Sequence, residues 1–552
     1  MKKYRLIDNF KQLYGLTFGK LVLEKIISLD YQAWDFIRWF WFSYDFEIKP
    51  PVKQSSSFYQ QALGLTYLWI VGEVVAGIYV IYLGATSKFV GGVPIGLAII
   101  LAYPIVIAHV MVLIRFLYEV IWDVINPKKA AKNLLCWVLE YQVKKLRSTH
   151  KFKVIAVAGS VGKTSTKLAI AKVLATSGKV LYQAGNYNDR LTVPLVIFNQ
   201  TLPHLLNGFA WLKIIISNQL KISRAYNYQY VVVELGTDGP GQIAKFAYLN
   251  PELSVVTAVA MEHMEYFASL NAVADEELAV FNFSQKVLVN IEDIDAKYLE
   301  ARQYISYGLR AGAENRITST INFELKPTTL DFQLGPNHQL VEAEIATVGK
   351  QGAMTVLAAA SVAALFEYQS ETIKQGLESI EPFAGRMQIL AGIQGSTIID
   401  DTYNASPKAV QAALEVLYAA QAPQRIAILG DMNELGGFSA QAHKLIGEAC
   451  DPKKLDLVIT IGKQSAKYLA KSAEVQGCNV KSFDSPYAAG KYVREVLEPK
   501  AMILAKGSQN GVFAEEAVKF LLASPDDFTK LVRQSRIWMS TKRQQFADAP
   551  KV

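Results

Sequence analysis

The stretch VIAVAGSVGKTSTKLAIAKVL, from Val154 to Leu174, constrains this chain more than any other. The apolar run Val154 to Val157 reads as a short buried strand, and the spacing of Leu168, Ile170, Val173 and Leu174 as the helix that follows it. Between them Gly159 and Gly162 let backbone amides approach phosphate oxygens. Lys163 supplies a cation to them and Thr164 a hydroxyl for Mg²⁺. The turn is shorter than the general G-x-x-x-x-G-K-[ST] pattern, which wants a glycine where Val157 stands.

A strand, a phosphate turn and a helix require further strands beside them. YVVVELGTDGPGQIAKF gives a buried strand, Tyr230 to Val233, ending in Glu234; LSVVTAVAMEHMEYF gives one that leads to Glu262, His263 and Glu265; VLVNIED gives one that ends at Asn290. Strands alternating with helical segments predict an α/β domain with a mostly parallel sheet over 151–382. In such sheets ligands collect at the carboxyl ends of strands, where Thr164, Glu234, His263 and Asn290 all fall. A carboxylate and an imidazole beside a phosphate loop are what a second Mg²⁺ or its waters require.

A second α/β domain, Rossmann-like and spanning 383–525, is expected from GSTIIDDTYNASPKAVQAALEVL, APQRIAILGDMNELG, LDLVITIG and AMILAKGSQNG. Its strand ends carry Asp401, Tyr403 and Asn404, then Asp431 and Glu434, then Lys506 and Ser508. Two such domains facing each other form a cleft that closes on ligands. Residues 526–552 read as a basic tail.

The N-terminal part differs in character, and it raises the hydrophobic content of the 552 residues to 51%. Leu63 to Gly84 and Val90 to Ile114 each approach the roughly 20 apolar residues of a membrane-spanning helix, so 61–116 is expected to form a transmembrane hairpin, with Glu73 and His109 within its spans. Lys49 and Lys53 before it, and Arg115, Lys128, Lys129 and Lys132 after it, place both ends in the cytoplasm and predict a multi-pass inner-membrane protein. Residues 1–60, with Trp34, Trp39 and Trp41, suit an interfacial amphipathic region or an aromatic core helix equally, and 117–150 a helical connector. Three scattered cysteines, Cys136, Cys450 and Cys478, have no metal or disulfide spacing and fit a reducing compartment. The net charge of +8 comes without a basic tract interleaved with aromatics, which argues against nucleic acid.

Taken in order, GSVGKTST, GNYND with TVPL, ELGTDGPGQI, HMEYFASL, FAGRMQ, DDTYNASPKAVQAAL, ILGDMNELG and KGSQN resemble the Mur ligases, ATP-dependent amide-forming enzymes of peptidoglycan precursor synthesis. The branch most resembled adds D-alanyl-D-alanine to a UDP-N-acetylmuramoyl tripeptide. The resemblance implies that Gly159, Ser160, Val161, Gly162, Lys163, Thr164 and Ser165 hold the ATP phosphates, and that Thr164, Glu234 and His263 hold Mg²⁺. It implies that Asn290, Arg386, Asp401, Tyr403 and Asn404 surround the nucleotide, and that Asn186, Asn188, Asp431, Glu434, Lys506 and Ser508 lie toward the muramoyl-peptide and amine substrates. The implied chemistry is phosphoryl transfer to a carboxylate, followed by attack of an amine on the acyl phosphate. Lys163, Glu234, His263, Glu277 and Arg386 are the implied catalytic set.

Three departures stand out. Glu277, next to Glu276, occupies the place of the family's carbamylated lysine, where its carboxylate offers the same oxygens to metal. Gln351 and Thr355 replace a His and an Asn of a later motif. The family's UDP-gripping domain has no room before Lys151, so the hairpin is expected in its place. Two alternatives stay open: a Mur-like ligase acting on a lipid-linked precursor, and a non-catalytic membrane-tethered ATP-binding scaffold working with cell-wall enzymes.

Overall fold

The structure is a computed structural model and describes residues 57–86, 91–102, 106, 127–205, 207–321 and 325–549. The chain divides into two compact units, 1–133 and 134–552.

In the first unit a helix, Ser57–Ala85, is followed by a helical run over 92–102. The two are antiparallel and meet through glycines: a Cβ on Gly96 would fall 2.4 Å from Ile81 Cγ1, and one on Gly84 would fall 2.6 Å from Val93 N. The hairpin is therefore present as a packed helical pair, but the expected passage through a membrane is corrected. Among the described residues no helix is long and apolar enough to cross a membrane. Of the second expected span, Val90, 103–105 and 107–114 lie outside the described residues. The predicted multi-pass inner-membrane localisation falls with it, as does the hairpin as a replacement for a UDP-gripping domain. The aromatic stretch around Trp34 to Trp41, the flanking Lys49, Lys53 and Arg115, and His109 lie outside the described residues.

The second unit holds two mixed sheets among its described residues. The first is built from β1 (Lys153–Ala158), β2 (Val180–Leu181), β3 (Tyr230–Glu234), β4 (Leu253–Val256), β5 (Val287–Asn290), β6 (Ile305–Gly308), β7 (Asn315–Ile317), β8 (Thr328–Leu334) and β9 (Gln339–Ile345). Their spatial order is β2-β3-β1-β4-β5-β6-β7-β8-β9. Pairing is parallel up to β7 and antiparallel through β8 and β9. β1 and β3 to β5 are buried almost throughout, as a sheet covered on both faces requires. β8 and β9 alternate, with Leu330, Phe332, Leu334, Val341, Ala343 and Ile345 turned inward.

One face of this sheet packs on the helices Lys163–Leu174 and Gly349–Leu365, whose small residues Ala358, Ala359 and Ala360 are wholly buried. Close approach is also enforced at Gly376, where a Cβ would meet Val173 Cα at 2.9 Å.

The second sheet runs β10 (Gln388–Ala391), β11 (Thr397–Asp401), β15 (Met502–Lys506), β12 (Arg425–Gly430), β13 (Leu457–Ile461) and β14 (Val480–Phe483) in space. It is parallel except at β10. The strand order reverses direction around β15 and β12, the type of switch point at which doubly wound sheets open a crevice. The carboxyl ends of β11, β12 and β15 carry Asp401, Asp431 and Lys506.

Candidate functional site

β1 ends at Ala158 and the chain enters the turn through Gly159, at φ 119°, and leaves it through Gly162, at φ 86°. A side chain at 159 is excluded twice over: its Cβ would lie 2.4 Å from Thr257 Oγ1 and 2.9 Å from Ala258 N. Thr257 Oγ1 donates to Val161 O at 2.6 Å, and Ser160 Oγ accepts from Ala260 N at 3.1 Å, so the turn is tied to the end of β4. The helix that begins at Lys163 directs its unpaired first amides into the turn.

Lys163 Nζ donates to Gly159 O and lies 3.6 Å from Glu262 and 3.9 Å from Glu277. Burial opposes its charge, but Glu262 and Glu277 outweigh burial and hold the ammonium above its ordinary value. The turn is thus pre-set around a protonated lysine.

Glu234, at the tip of β3, faces Lys167 Nζ at 3.1 Å, both side chains nearly fully buried, and accepts from Asn188 Nδ2 at 3.2 Å. Burial would raise its carboxyl, yet Lys167 and Lys163 prevail and it stays below the usual carboxylate range. Glu277 Oε2 accepts from Gly159 N at 2.7 Å. Burial pushes its carboxyl up to about 7. Its neighbour Glu276 turns elsewhere, accepting from the amides of Gly241 and Ile243 and from Thr237 Oγ1, and so fastens the loop after β3.

Across a cavity of about 540 Å³ stand residues of the second sheet. The Arg386 guanidinium lies 4.0 Å over the Tyr403 ring. Asp401 accepts from Met387 N at 3.2 Å and pairs with the buried Lys506, whose Nζ also donates to Asn404 O at 2.9 Å. Two ion pairs cross between the sheets: Lys408 to Asp293 at 2.7 Å and His263 Nδ1 to Glu434 at 2.8 Å. Burial disfavours the His263 cation, but the carboxylates of Glu434 and the nearby Glu262 overcome it and raise the imidazole above its ordinary value.

The cavity brings together most of the residues singled out from the sequence. Ser160 to Ser165, Asn186, Asn188, Glu234, His263 and Asn290 line it from the first sheet, and Arg386, Asp401, Tyr403, Asn404, Glu434 and Lys506 from the second. Gly159 and Glu277 sit directly behind the turn. Asn290 faces the cavity, but its Nδ2 donates to Thr257 O and Asp293.

Asp431 and Ser508 are not among the lining residues. The Asp431 carboxylate accepts from the amides of Gln464 and Ser465, and Ser508 Oγ joins Asn433 N to Ala405 O. Gln351 lines the cavity, and Thr355 Oγ1 turns back to Gln351 O at 2.9 Å. Lys167, Glu262, Asp293 and Lys408 also take part, although the motifs assign none of them a role. Their signal was position: one turn into the helix after the phosphate loop, just past strand ends, and at the start of the helix Pro407–Ala419.

The donor set fits Mg²⁺. The hydroxyl of Thr164 and the carboxylate of Glu234 are hard oxygen ligands, and Glu234 Oε2 and Glu262 Oε2 are buried without a hydrogen bond, each facing an ammonium. Among the described residues no group of three or more His, Cys, Asp or Glu forms a cage of its own. Mg²⁺ is commonly held in this way, by one or two carboxylates with phosphate oxygens and water completing the shell. His263 differs, since its Nδ1 is engaged with Glu434.

A phosphate turn at the carboxyl end of one α/β sheet, closed over by a guanidinium from a second, defines a two-lobed nucleotide-binding α/β protein. The Mur ligase middle domain matches 157–205 and 212–363, and the Mur ligase glutamate ligase domain matches 385–509. The chain belongs to the Mur ligases. It is similar to the UDP-N-acetylmuramoyl-tripeptide--D-alanyl-D-alanine ligases of Escherichia coli (29% identical, covering 57% of this chain and 65% of the relative) and Bacillus subtilis (28%, covering 68% and 76%). The chain thus spans just under two thirds of the length of the E. coli relative. In fold it is similar to crystal structures of MurF from Acinetobacter baumannii (TM-score 0.57, 23% identical, covering 70% of this chain and 79% of that one) and of MurF from Thermotoga maritima in complex with ADP (TM-score 0.56, 20%, covering 70% and 83%).

Proposed function

We propose that this chain is an ATP-dependent ligase of peptidoglycan precursor synthesis that joins D-alanyl-D-alanine to a UDP-muramoyl tripeptide. The observation that carries this reading is the single cavity in which the Lys163 turn, Glu234 and Arg386 face one another from two sheets. The Escherichia coli and Bacillus subtilis relatives bear that activity in their names.

The phosphates of ATP lie against the amides of residues 160–165, with Lys163 beside them. Mg²⁺, held by Thr164 and Glu234, neutralises phosphate charge when bound. Arg386, fixed over Tyr403, offsets the negative charge that develops as the γ-phosphoryl group passes to the substrate carboxylate. The acyl phosphate is then open to the amine, and the amide forms as phosphate leaves. No side-chain nucleophile is needed, because positioning and charge neutralisation supply the rate. Glu277 takes the place of the carbamylated lysine, so activity is independent of added bicarbonate.

The test is phosphate release by the full-length protein with ATP and Mg²⁺. Release that requires both a UDP-muramoyl tripeptide and D-alanyl-D-alanine, with the pentapeptide product seen by mass spectrometry, supports the reading. Turnover only with a lipid-linked acceptor reassigns the substrate. ATP binding with no acceptor-dependent release makes the protein a scaffold.

A further inference from the structure

The chain beyond the family match does not trail away as a basic tail. It folds back over the C-terminal lobe as a short turn, Pro525–Lys530, and a helix, Arg536–Gln545. Between them Arg533, at φ 56°, points its guanidinium inward. Nε and Nη2 reach the two oxygens of the wholly buried Glu515 at 2.9 and 2.7 Å, Nη1 donates to Tyr403 O at 2.9 Å, and Nη2 to Thr402 O at 2.6 Å. The adjacent Val532 packs on Gly385: a Cβ there would lie 2.9 Å from Val532 Cγ1. Gly385 O in turn accepts from Tyr403 N at 3.0 Å.

Residues 532 and 533 therefore touch both backbone segments that present Arg386 and Tyr403 to the cavity. The anchor beneath them is ionic and buried. Lys542 Nζ bonds Glu515 at 2.8 Å, Glu516 at 2.6 Å and Arg533 O at 2.9 Å, and Lys519 meets Glu516 at 2.8 Å. Removing this many charges from water is costly unless each is matched, and here each is. Only a guanidinium offers a planar fork that grips a carboxylate and two carbonyls at once; an ammonium of similar reach cannot.

We propose that Arg533 is a positioning residue of the nucleotide site. With Val532 it sets the height of Arg386 and Tyr403 over the cleft, which makes the terminal segment 525–549 a working part of that site. The proposal rests on the reading of the cleft as an ATP site.

The experiment compares the full-length wild type with R533K and R533A by calorimetric ADP binding, ATP kinetics and thermal melting. R533K keeps a cation for Glu515 but releases the carbonyls. For R533K the expected result is a rise of about tenfold in the ADP Kd together with a fall of about tenfold in kcat, because Arg386 acts on the transferring phosphoryl group, with melting lowered less than in R533A. Guanidinium ion added to R533A should recover part of the ADP affinity. Nucleotide affinity equal to wild type in R533K, or a lowered melting point with unaltered affinity in either variant, overturns the proposal. A wild type that binds no ADP overturns the reading of the cleft itself, and this proposal with it.

Discussion

His263 Nδ1 stands 2.8 Å from Glu434 Oε2, and through this contact the loop after β4 meets the loop after β12. Both residues lie at positive φ, 52° and 63°. The backbones touch as well: Glu265 N donates to Glu434 O at 3.2 Å, and a Cβ on Gly436 would come within 2.9 Å of Glu265 Cα. The two lobes are thus held together at the rim of the cavity.

E434Q tests what this junction does. A part-exposed ion pair contributes only about 0–1 kcal/mol to stability, so the melting temperature should hardly move. Removing the carboxylate takes away the interaction that raises His263, so an NMR titration should show its imidazole pKa falling. If the junction sets lobe closure, turnover drops about tenfold while unfolding is unchanged; wild-type turnover would sink that role.

Glu277 separates two functions in one side chain. E277A deletes the acceptor for Gly159 N and should cost about 1–3 kcal/mol of stability, since a buried amide is left unpaired. E277Q keeps an acceptor oxygen for that amide but no charge. Loss of Mg²⁺-dependent turnover in E277Q at near-normal stability, measured by phosphate release and thermal melting, assigns the charge to the reaction; full activity restricts the residue to supporting the turn.

Lys167 compensates Glu234 in the absence of metal. K167M leaves a buried carboxylate without its nearest cation, which should cost about 3–5 kcal/mol. Urea unfolding at pH 7 measures it. The defect should shrink as pH falls and Glu234 takes up a proton, and a loss that does not depend on pH would contradict the pairing.

Asp400 supplies a pH signature away from the phosphates. Its carboxylate is buried, and burial pushes it up to about 7 although Thr402 donates to it from both its amide and its hydroxyl. An acid whose folded pKa exceeds its ordinary value of 3.8 favours folding at low pH. That contribution is lost as pH rises from about 4 to about 7, at most about 4 kcal/mol in all. D400N removes this dependence, so at pH 8 it should melt above the wild type, and the gap should close or reverse by pH 5.

The turn at 159–164 and the ends of β3 to β5 are legible because their signals are local and continuous: apolar runs closed by glycine, carboxylate or amide. What sequence does not carry is the partner of each charge. Lys506 reads as a substrate cation, but β11 and β15 are parallel neighbours in register, Asp401 opposite Lys506, so a strand pairing formed across about a hundred residues neutralises it. Sequence puts Glu277 at the carbamylated lysine's place but does not say what its neighbour does: the rotation of roughly 100° between successive helical residues sends Glu276 to the loop after β3 and Glu277 to the phosphate turn. The segment around Arg533 and Lys542 reads only as a basic tail because Glu515 and Glu516, its counter-charges, are acidic residues of another element. The apolar stretches before 116 meet a composition rule, but among the described residues no helix is long and apolar enough to cross a membrane.

Since Lys506 is already matched on its own sheet, the second lobe brings uncommitted charge to the cavity mainly through Arg386, while the amides and Lys163 belong to the first. Hinging the lobes apart thus withdraws a guanidinium from the phosphates without melting a single strand. Such a movement would have to break the His263–Glu434 and Lys408–Asp293 contacts, which tie the two sheets together at the cavity.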